Sequence, residues 1–207
     1  MELKNEPKFS IIIPAFNAEK RLAETIASVT MQTFRDFEII VVCDSCTDET
    51  DEVAAAYGAK MFYTDAGCDG AARNVGIENA SGTWIMFLDD DDHWLHEFVL
   101  DQIARKINKD PTVDVICFSA IHKNSRYAPA SINNIAVWNK VWKRSFIGDT
   151  RFPKVKSISD LYFHKAMLAK SPRYVEWDMP FYYYNYMRPG SQTWLEAQEK
   201  AERYVQR

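Results

Sequence analysis

The sequence lacks several features that would each indicate a class of protein. No apolar run approaches the ~20 residues that a membrane-spanning helix needs. We see no secretory signal, so we expect a cytoplasmic protein, either free in the cytoplasm or peripherally associated with the inner face of the membrane. The net charge of −4 lacks the basic excess that is typical of nucleic-acid binding. The 207 residues are enough for one globular domain with a substantial core.

Cysteines are also few, four in the chain. Cys43 and Cys46 have the C-x-x-C spacing, whereas Cys68 and Cys117 stand alone. A zinc site would need a second close pair of ligands, which the sequence does not provide. A redox pair formed by Cys43 and Cys46 stays open as an alternative, although a reducing compartment is the default without a secretory signal.

Strand and helix patterns alternate through the first 120 residues. Short apolar runs predict strands that are buried on both faces, at 10–14, 37–43, 60–64, 83–88 and 113–120. Apolar residues at helical spacing predict the intervening helices, at about 17–32, 47–57, 68–80 and 94–108. This order predicts an α/β fold with a Rossmann-like, mostly parallel central sheet flanked by helices.

The alternation breaks after about residue 120. Helices are predicted at 139–147 and 159–170, followed by an aromatic strand at 179–187 and a polar helix over 191–207. We find no internal repeat and no low-complexity linker. We therefore expect a single domain, 1–207, with a smaller mixed region after the alternating half.

Four consecutive carboxylates, Asp89 to Asp92, directly follow the strand predicted at 83–88. Ionised together they repel one another and need a cation or strong hydrogen bonds. Oxygen ligands suit Mg²⁺ or Mn²⁺, and ligands of parallel α/β sheets bind at the carboxyl ends of the strands. The run therefore favours a divalent cation that bridges to a diphosphate. The alternative is a solvated acidic turn, and in either case Asp92 is expected to cap the helix that begins near Trp94.

Polar residues follow the other predicted strands at the same edge. Asp44, after the second strand, is suited to accept the imide N–H of uracil or a ribose hydroxyl, or is a simple turn residue. Arg73 begins the helix after the third strand, where an arginine reaches phosphate, holds the aspartates, or forms a surface ion pair. The segment 14–17 closes the first strand.

Taken together, these motifs resemble family 2 of the inverting glycosyltransferases, which has the GT-A fold. The resemblance rests on "SIIIPAFNAEKRLAETIASVTMQTFRDFEIIVV" followed by "AARNVGIENASGTWIMFLDDDD". More loosely, "AVWNKVWKRSFI", "ISDLYF" and "YYYNYMRPGS" resemble the acceptor half of bacterial surface-polysaccharide members. The resemblance implies a nucleotide-sugar-binding half at about 8–120 and an acceptor-side half at about 121–207.

The resemblance also implies a role for each matching residue. Asp160 would be the general base, and Asp89 and Asp91 would be the ends of the D-x-D motif, with Asp91 the direct metal ligand. The nucleotide would be bound by residues of the strand ends, namely Pro14, Ala15, Asn17, Asp44, Arg73, Asp89 and Asp90. The implied reaction moves a sugar from a nucleotide sugar, with a UDP-sugar favoured, to a hydroxyl of a glycan or lipid-linked acceptor. It proceeds with inversion and assistance from Mn²⁺ or Mg²⁺, in polysaccharide or glycan synthesis.

Two departures from the family pattern keep alternatives open. The usual Asp-Asp-Gly-Ser after the second strand is Cys43-Asp44-Ser45-Cys46 here, and Ser159 stands where Glu usually precedes the base. A donor-binding relative that turns over poorly is therefore one alternative. A haloacid-dehalogenase-type phosphatase is another, because its nucleophilic Asp also follows a hydrophobic strand in a D-x-D motif. His93 stands where that motif normally has Thr or Val.

Overall fold

A computed structural model describes residues 7–191, 194–195 and 197–198 of the chain. The strands in these residues are β1 (Phe9–Ala15), β2 (Phe37–Asp44), β3 (Lys60–Thr64), β4 (Trp84–Phe87), β5 (His93–Trp94), β6 (Val115–His122), β7 (Tyr127–Ala128), β8 (Lys140–Lys143) and β9 (Tyr174–Tyr184). The helices are α1 (Leu22–Thr30), α2 (Thr50–Ala56), α3 (Asp69–Asn79), α4 (Val99–Lys109), α5 (Arg144–Ile147) and α6 (Ser159–Ala169).

The first four strands form a parallel block in the order β3-β2-β1-β4. Every residue of β1 and of β4 is buried, as expected for strands that helices cover on both faces. α1 and α4 pack on one face of the sheet, and α3 and α6 pack on the other. The predicted α/β architecture is confirmed, and the carboxyl ends of β1, β2 and β4 lie together at one edge.

The rest of the sheet is mixed. Beyond β4 the order continues β8-β6-β9-β5, with β7 paired to β6 as a hairpin. β8 is antiparallel to both of its neighbours, whereas β9 runs parallel to β6 and antiparallel to β5. Parallel pairing is therefore confined to the first block and to the β6–β9 pair.

The helix predicted at 139–147 is wrong over its first half, because Lys140–Lys143 forms β8 and only Arg144–Ile147 is helical. Val141 and Trp142 are adjacent and both fully buried, but they belong to the apolar clusters on opposite faces of the sheet. A strand that is buried on both faces has no polar alternation, so its apolar spacing resembled that of a helix.

The helix predicted at 94–108 begins only at Val99. His93 and Trp94 instead pair with Tyr183 and Tyr182 of β9 as the short strand β5. Most of the polar helix predicted over 191–207 lies outside the described residues. Among the helices that are described, none has the length and apolar character needed to span a bilayer.

Candidate active site

A cavity of about 660 Å³ opens at the carboxyl ends of β1, β2 and β4. Seven of the residues predicted for the nucleotide and the metal line it, namely Pro14, Ala15, Asn17, Asp44, Asp89, Asp90 and Asp91. Arg73 and Asp160 do not line this cavity, but both are joined to its edge through Asp89. The structure thus brings the predicted residues into one region, which we call the donor cavity.

Arg73 links the acidic run to α6. Its Nη2 donates to Asp89 Oδ1 at 2.8 Å and its Nη1 donates to Asp160 Oδ1 at 3.0 Å. Burial alone would lower the pKa of Arg73, but the two carboxylates raise it above its ordinary value. Burial raises the pKa of Asp89, and Asp160 adds to that rise while Arg73 opposes it. A single buried guanidinium therefore holds both carboxylates at a fixed separation.

Arg21 makes the matching arrangement for Asp90. Its Nε and Nη2 donate to the two oxygens of Asp90, at 2.9 and 2.7 Å, which is the bidentate geometry of strong arginine–carboxylate pairs. The same guanidinium donates to the backbone carbonyls of Phe16 and Asn17. Asp90 and Arg21 therefore tie the acidic run to the loop that follows β1.

Asp91 is paired with a residue from the far end of the chain. The Nε of Arg188, four residues past the end of β9, donates to Asp91 Oδ2. Both side chains line the donor cavity. The carboxylate that was predicted to bind the metal therefore already holds one cation, the guanidinium of Arg188.

The expectation that Asp92 caps a helix is wrong. The helix begins seven residues later, and Asp92 is buried with 1% of its surface exposed. Its Oδ2 accepts from the Tyr182 hydroxyl at 2.7 Å and its Oδ1 accepts from the Asn185 N–H at 2.7 Å. Burial raises the pKa of Asp92 well above its ordinary value. The Tyr182 hydroxyl also accepts from the Asp89 N–H at 3.2 Å, so this residue of β9 contacts both ends of the acidic run.

Asp44 orders the loop that precedes α3. Its carboxylate oxygens accept from the N–H of Gly67 at 2.9 Å and of Cys68 at 2.7 Å. Asn17, with a positive φ of 44°, accepts from the Thr47 N–H at 2.8 Å and so connects the loops after β1 and β2. Both residues line the donor cavity, so each one orders a loop and also lies where a bound ligand would contact it.

The cysteines of the C-x-x-C pair do not line the donor cavity. Both are free thiols, and Cys43 is 1% exposed. Burial raises the pKa of the Cys43 thiol, which is the opposite of the activation that a redox pair needs. The replacement of an acidic residue by Cys43 therefore removes no charged group from the wall of the cavity.

Three residues of the site were missed from the sequence alone. Arg21 directly precedes α1, and nothing in the local sequence indicated that it pairs with Asp90. Arg188 lies in the quoted "YYYNYMRPGS" segment, but no role was assigned to it. Tyr182 lies in the aromatic strand predicted at 179–187, but its contacts with Asp89 and Asp92 become visible only in the fold.

The carboxylates of the donor cavity include a pair that suits a divalent cation. Within the described part of the chain, no three His, Cys, Asp or Glu side chains converge to form a metal site. The Asp89 and Asp91 carboxylates do face the donor cavity, and Asp91 accepts a cationic partner there. This oxygen-only pair fits Mg²⁺ or Mn²⁺, which characteristically use one or two carboxylates together with substrate phosphates and water.

A family model described as Glycosyl transferase family 2 matches residues 10–173. The chain belongs to this family. This is the family that the order of its motifs resembled, and membership of it removes the phosphatase alternative.

Curated relatives of this chain agree with the family assignment. The chain is 29% identical over 203 residues to the Staphylococcus aureus poly(ribitol-phosphate) beta-N-acetylglucosaminyltransferase TarS. This alignment covers 85% of this chain and 35% of TarS. It is 39% identical over 114 residues to an uncharacterized glycosyltransferase of Rickettsia typhi, in an alignment that covers 54% of this chain and 36% of that protein. The chain thus spans about a third of the length of these relatives.

Solved structures share the GT-A fold. Residues 1–349 of S. aureus TarS in complex with UDP-GlcNAc match with a TM-score of 0.78 and 25% identity, over 90% of this chain and 60% of that one. The mannosyltransferase PcManGT from Pyrobaculum calidifontis, in complex with GDP-Man and Mn²⁺, matches with a TM-score of 0.72 over 92% of this chain and 60% of that one. At 15% identity, the second likeness shows the fold alone.

Proposed function

We propose that this glycosyltransferase moves a sugar from a UDP-sugar to a hydroxyl of a glycan or lipid-linked acceptor, with inversion, in polysaccharide or glycan synthesis. One observation carries the proposal: Arg73 holds Asp89 of the D-x-D motif and Asp160 of α6 on a single guanidinium. The group proposed to hold the leaving diphosphate and the group proposed to accept the acceptor proton thereby share one anchor.

The nucleotide is proposed to bind against the loops after β1 and β2. Pro14, Ala15 and Asn17 form one wall of the donor cavity, and Asp44 forms part of another. Asp44 Oδ1 accepts from the Gly67 N–H and the Ser45 hydroxyl, whereas Oδ2 accepts only from the Cys68 N–H, so a lone pair of Oδ2 remains for the imide N–H of uracil. The likeness to TarS, solved with UDP and with UDP-GlcNAc, supports a UDP-sugar donor.

Asp91, with Asp89, is proposed to hold Mn²⁺ or Mg²⁺. When bound, the cation would neutralise charge that develops on the departing diphosphate. Arg188 bonds Oδ2 of Asp91 and so competes with the cation for this carboxylate; a displaced Arg188 guanidinium would be available to a phosphate at the same wall of the donor cavity. Arg21 keeps Asp90 bound throughout, so the loop after β1 keeps its position.

Asp160 is proposed to act as the general base. Its Oδ1 accepts from Arg73, and no hydrogen bond to Oδ2 occurs among the described residues. Oδ2 takes the proton from the acceptor hydroxyl while the hydroxyl oxygen forms a bond to the anomeric carbon on the face opposite the diphosphate. The bond from that carbon to the diphosphate oxygen breaks, and its electron pair leaves with the diphosphate. General base catalysis typically contributes ~10²- to 10⁴-fold.

The test is a screen of UDP-, GDP- and dTDP-sugars for hydrolysis and transfer, with Mn²⁺ and with EDTA. We expect turnover of a UDP-sugar that EDTA abolishes. Asp160→Asn should lower transfer by ~10²-fold or more with UDP affinity unchanged, whereas Asp149→Asn, an exposed control, should not. Transfer at the wild-type rate in Asp160→Asn would exclude this residue as the base.

The poorly active, donor-binding relative is the second candidate. Its support is Ser159, which stands before Asp160 where the family usually has Glu. UDP binding measured by calorimetry without hydrolysis or transfer of any donor, over a broad panel of acceptors, would favour this candidate.

A further inference from the structure

A second cavity, of about 470 Å³, lies at the β6–β7 hairpin and the segment that follows it. We name it the hairpin cleft. The residues that matter for its chemistry are Arg126, Tyr127, Ser131, Asn133, Asn134 and Trp138. None of them takes part in the donor chemistry proposed above.

The hairpin cleft adjoins the donor cavity across one aromatic ring. Tyr184 lines the donor cavity, and its ring centroid lies 5.1 Å from that of Trp138 and 5.1 Å from that of His122. Trp138 and His122 both line the hairpin cleft. A chain bound in the cleft therefore needs to pass only Tyr184 to reach the donor cavity.

The floor of the hairpin cleft also connects to the acidic run. Trp138 stacks on Tyr182 with ring centroids 4.5 Å apart. The Tyr182 hydroxyl in turn donates to Asp92 and accepts from the Asp89 N–H. The two cavities thus share a rigid wall of stacked rings and hydrogen bonds.

The wall formed by residues 129–139 is fixed without any ligand. The ammonium group of Lys140, a fully buried residue, donates to the carbonyls of Asn134 at 2.6 Å and Ala136 at 2.7 Å. The Ile132 N–H donates to Glu176 on β9 at 2.7 Å. A buried cation bonded to backbone carbonyls holds a loop firmly, because breaking its bonds would leave the charge unpaired. The cleft is therefore preformed.

The chemistry of the lining indicates the kind of ligand. Among the described residues no Asp or Glu lines the hairpin cleft, and the nearby carboxylate of Asp178 is engaged by the hydroxyl of Tyr127. The exposed Arg126 guanidinium and the exposed Asn133 amide have no hydrogen bond or ion pair to another side chain within residues 7–191. A guanidinium suits phosphate oxygens, whereas amides and hydroxyls suit sugar or polyol hydroxyls.

We propose that the hairpin cleft binds a phosphate-bearing, hydroxyl-rich unit of the acceptor, with the phosphate at Arg126 and hydroxyls at Asn133 and Ser131. The inference rests on the proposed transfer reaction and specifies its acceptor class. It requires the acceptor to be an anionic polyol or sugar phosphate rather than a neutral glycan.

The experiment is a titration of the ¹⁵N-labelled protein with glycerol 3-phosphate, followed by NMR, with glycerol and inorganic phosphate titrated separately. We expect glycerol 3-phosphate to shift the amide signals of residues 122–138 and to bind more tightly than either simpler probe. Arg126→Gln should weaken this binding about fivefold, the size of a partly exposed charge contact. Lys123→Gln removes the same charge from the same hairpin outside the cleft and should leave the binding unchanged.

Three results would overturn the inference. These are the absence of shifts at 122–138 up to tens of millimolar probe, equal weakening by both variants, or equal binding of inorganic phosphate alone. A parallel titration with UDP separates the two proposals. UDP shifts at the donor cavity without glycerol 3-phosphate shifts at the hairpin cleft would leave the donor proposal standing and remove the acceptor inference.

Discussion

Asp89 and Asp160 lie 71 residues apart in sequence, yet each accepts a hydrogen bond from a different Nη atom of Arg73, at 2.8 and 3.0 Å. One carboxylate follows a strand of the parallel block and the other lies in the first turn of α6. The planar guanidinium fixes their relative orientation, whereas the compact ammonium group of a flexible lysine would not.

Arg73→Lys should therefore damage catalysis even though it keeps the charge. A lysine ammonium cannot reproduce the two separate, coplanar contacts, so Asp160 should lose its fixed position relative to the donor. We expect kcat for transfer to fall by ~10²-fold, a typical cost of misplacing a reacting group by about 1 Å. Arg105→Lys, at an exposed arginine paired with Asp101, is the matched control and should leave kcat unchanged. Unchanged kcat in Arg73→Lys would show that the bridge is not needed.

Arg188→Gln should increase the affinity for Mn²⁺ in the absence of nucleotide. The substitution removes the cation that competes for Asp91, so the gain should be about fivefold, within the range of partly exposed ion pairs. Binding is measured by titrating Mn²⁺ and following its EPR signal. Arg151→Gln, which breaks an ion pair with Glu78, is the control. If Arg188→Gln bound Mn²⁺ no better than wild type, competition at Asp91 would be excluded.

His164 should make the folded protein sensitive to mild acid. The residue is 2% exposed, and neither ring nitrogen has a hydrogen-bond partner among the described residues. Burial, with a smaller effect of Lys140, lowers its pKa from 6.5 to about 4. Between these values the unfolded chain binds the proton and the folded chain does not. The free energy of unfolding should therefore fall as the pH drops from 6.5 to 4, by up to roughly 3 kcal/mol.

Urea unfolding of wild type and His164→Phe across pH 4 to 8 measures this effect. The variant should lose this part of the dependence between pH 6.5 and 4, whatever its stability at pH 8. Parallel curves for the two proteins over that interval would contradict the assignment.

Gly76→Ala should destabilise the protein, although alanine is the better helix former by about 1 kcal/mol. A Cβ at Gly76 of α3 would lie 2.3 Å from Ile12 Cγ2, and Ile12 is fully buried in β1. Overpacking of this kind costs about 1–3 kcal/mol. Chemical denaturation should show a net loss. In an Ile12→Ala background the same substitution should be neutral or stabilising, and a loss of equal size there would refute the steric explanation.

The sequence was informative wherever a site residue is positioned by its own strand. Asp44 and Asp89 each stand at the end of an apolar run, so their arrival at one edge followed from the parallel pairing of those runs. The partners of the acidic run were not predictable in this way. Tyr182 and Arg188 come from 90 and 97 residues further along the chain, and their contacts depend on where β9 enters the sheet. Local periodicity carries no information about such pairings. It misassigned β8 for a different reason, because a strand that is buried on both faces shows no polar alternation.

The contacts of Asp92 bear on how this protein can be dissected in the laboratory. A fragment that stops near residue 120 would keep the whole parallel block but would lose the hydroxyl of Tyr182 and the amide of Asn185, which satisfy that carboxylate. The carboxylate would then lose both hydrogen bonds that fix its orientation, next to the residues that are proposed to hold the metal and the diphosphate. We therefore expect the proposed donor site to depend on β9, and exchanging the proposed acceptor halves between relatives should succeed only when the strand equivalent to β9 is kept with the donor half.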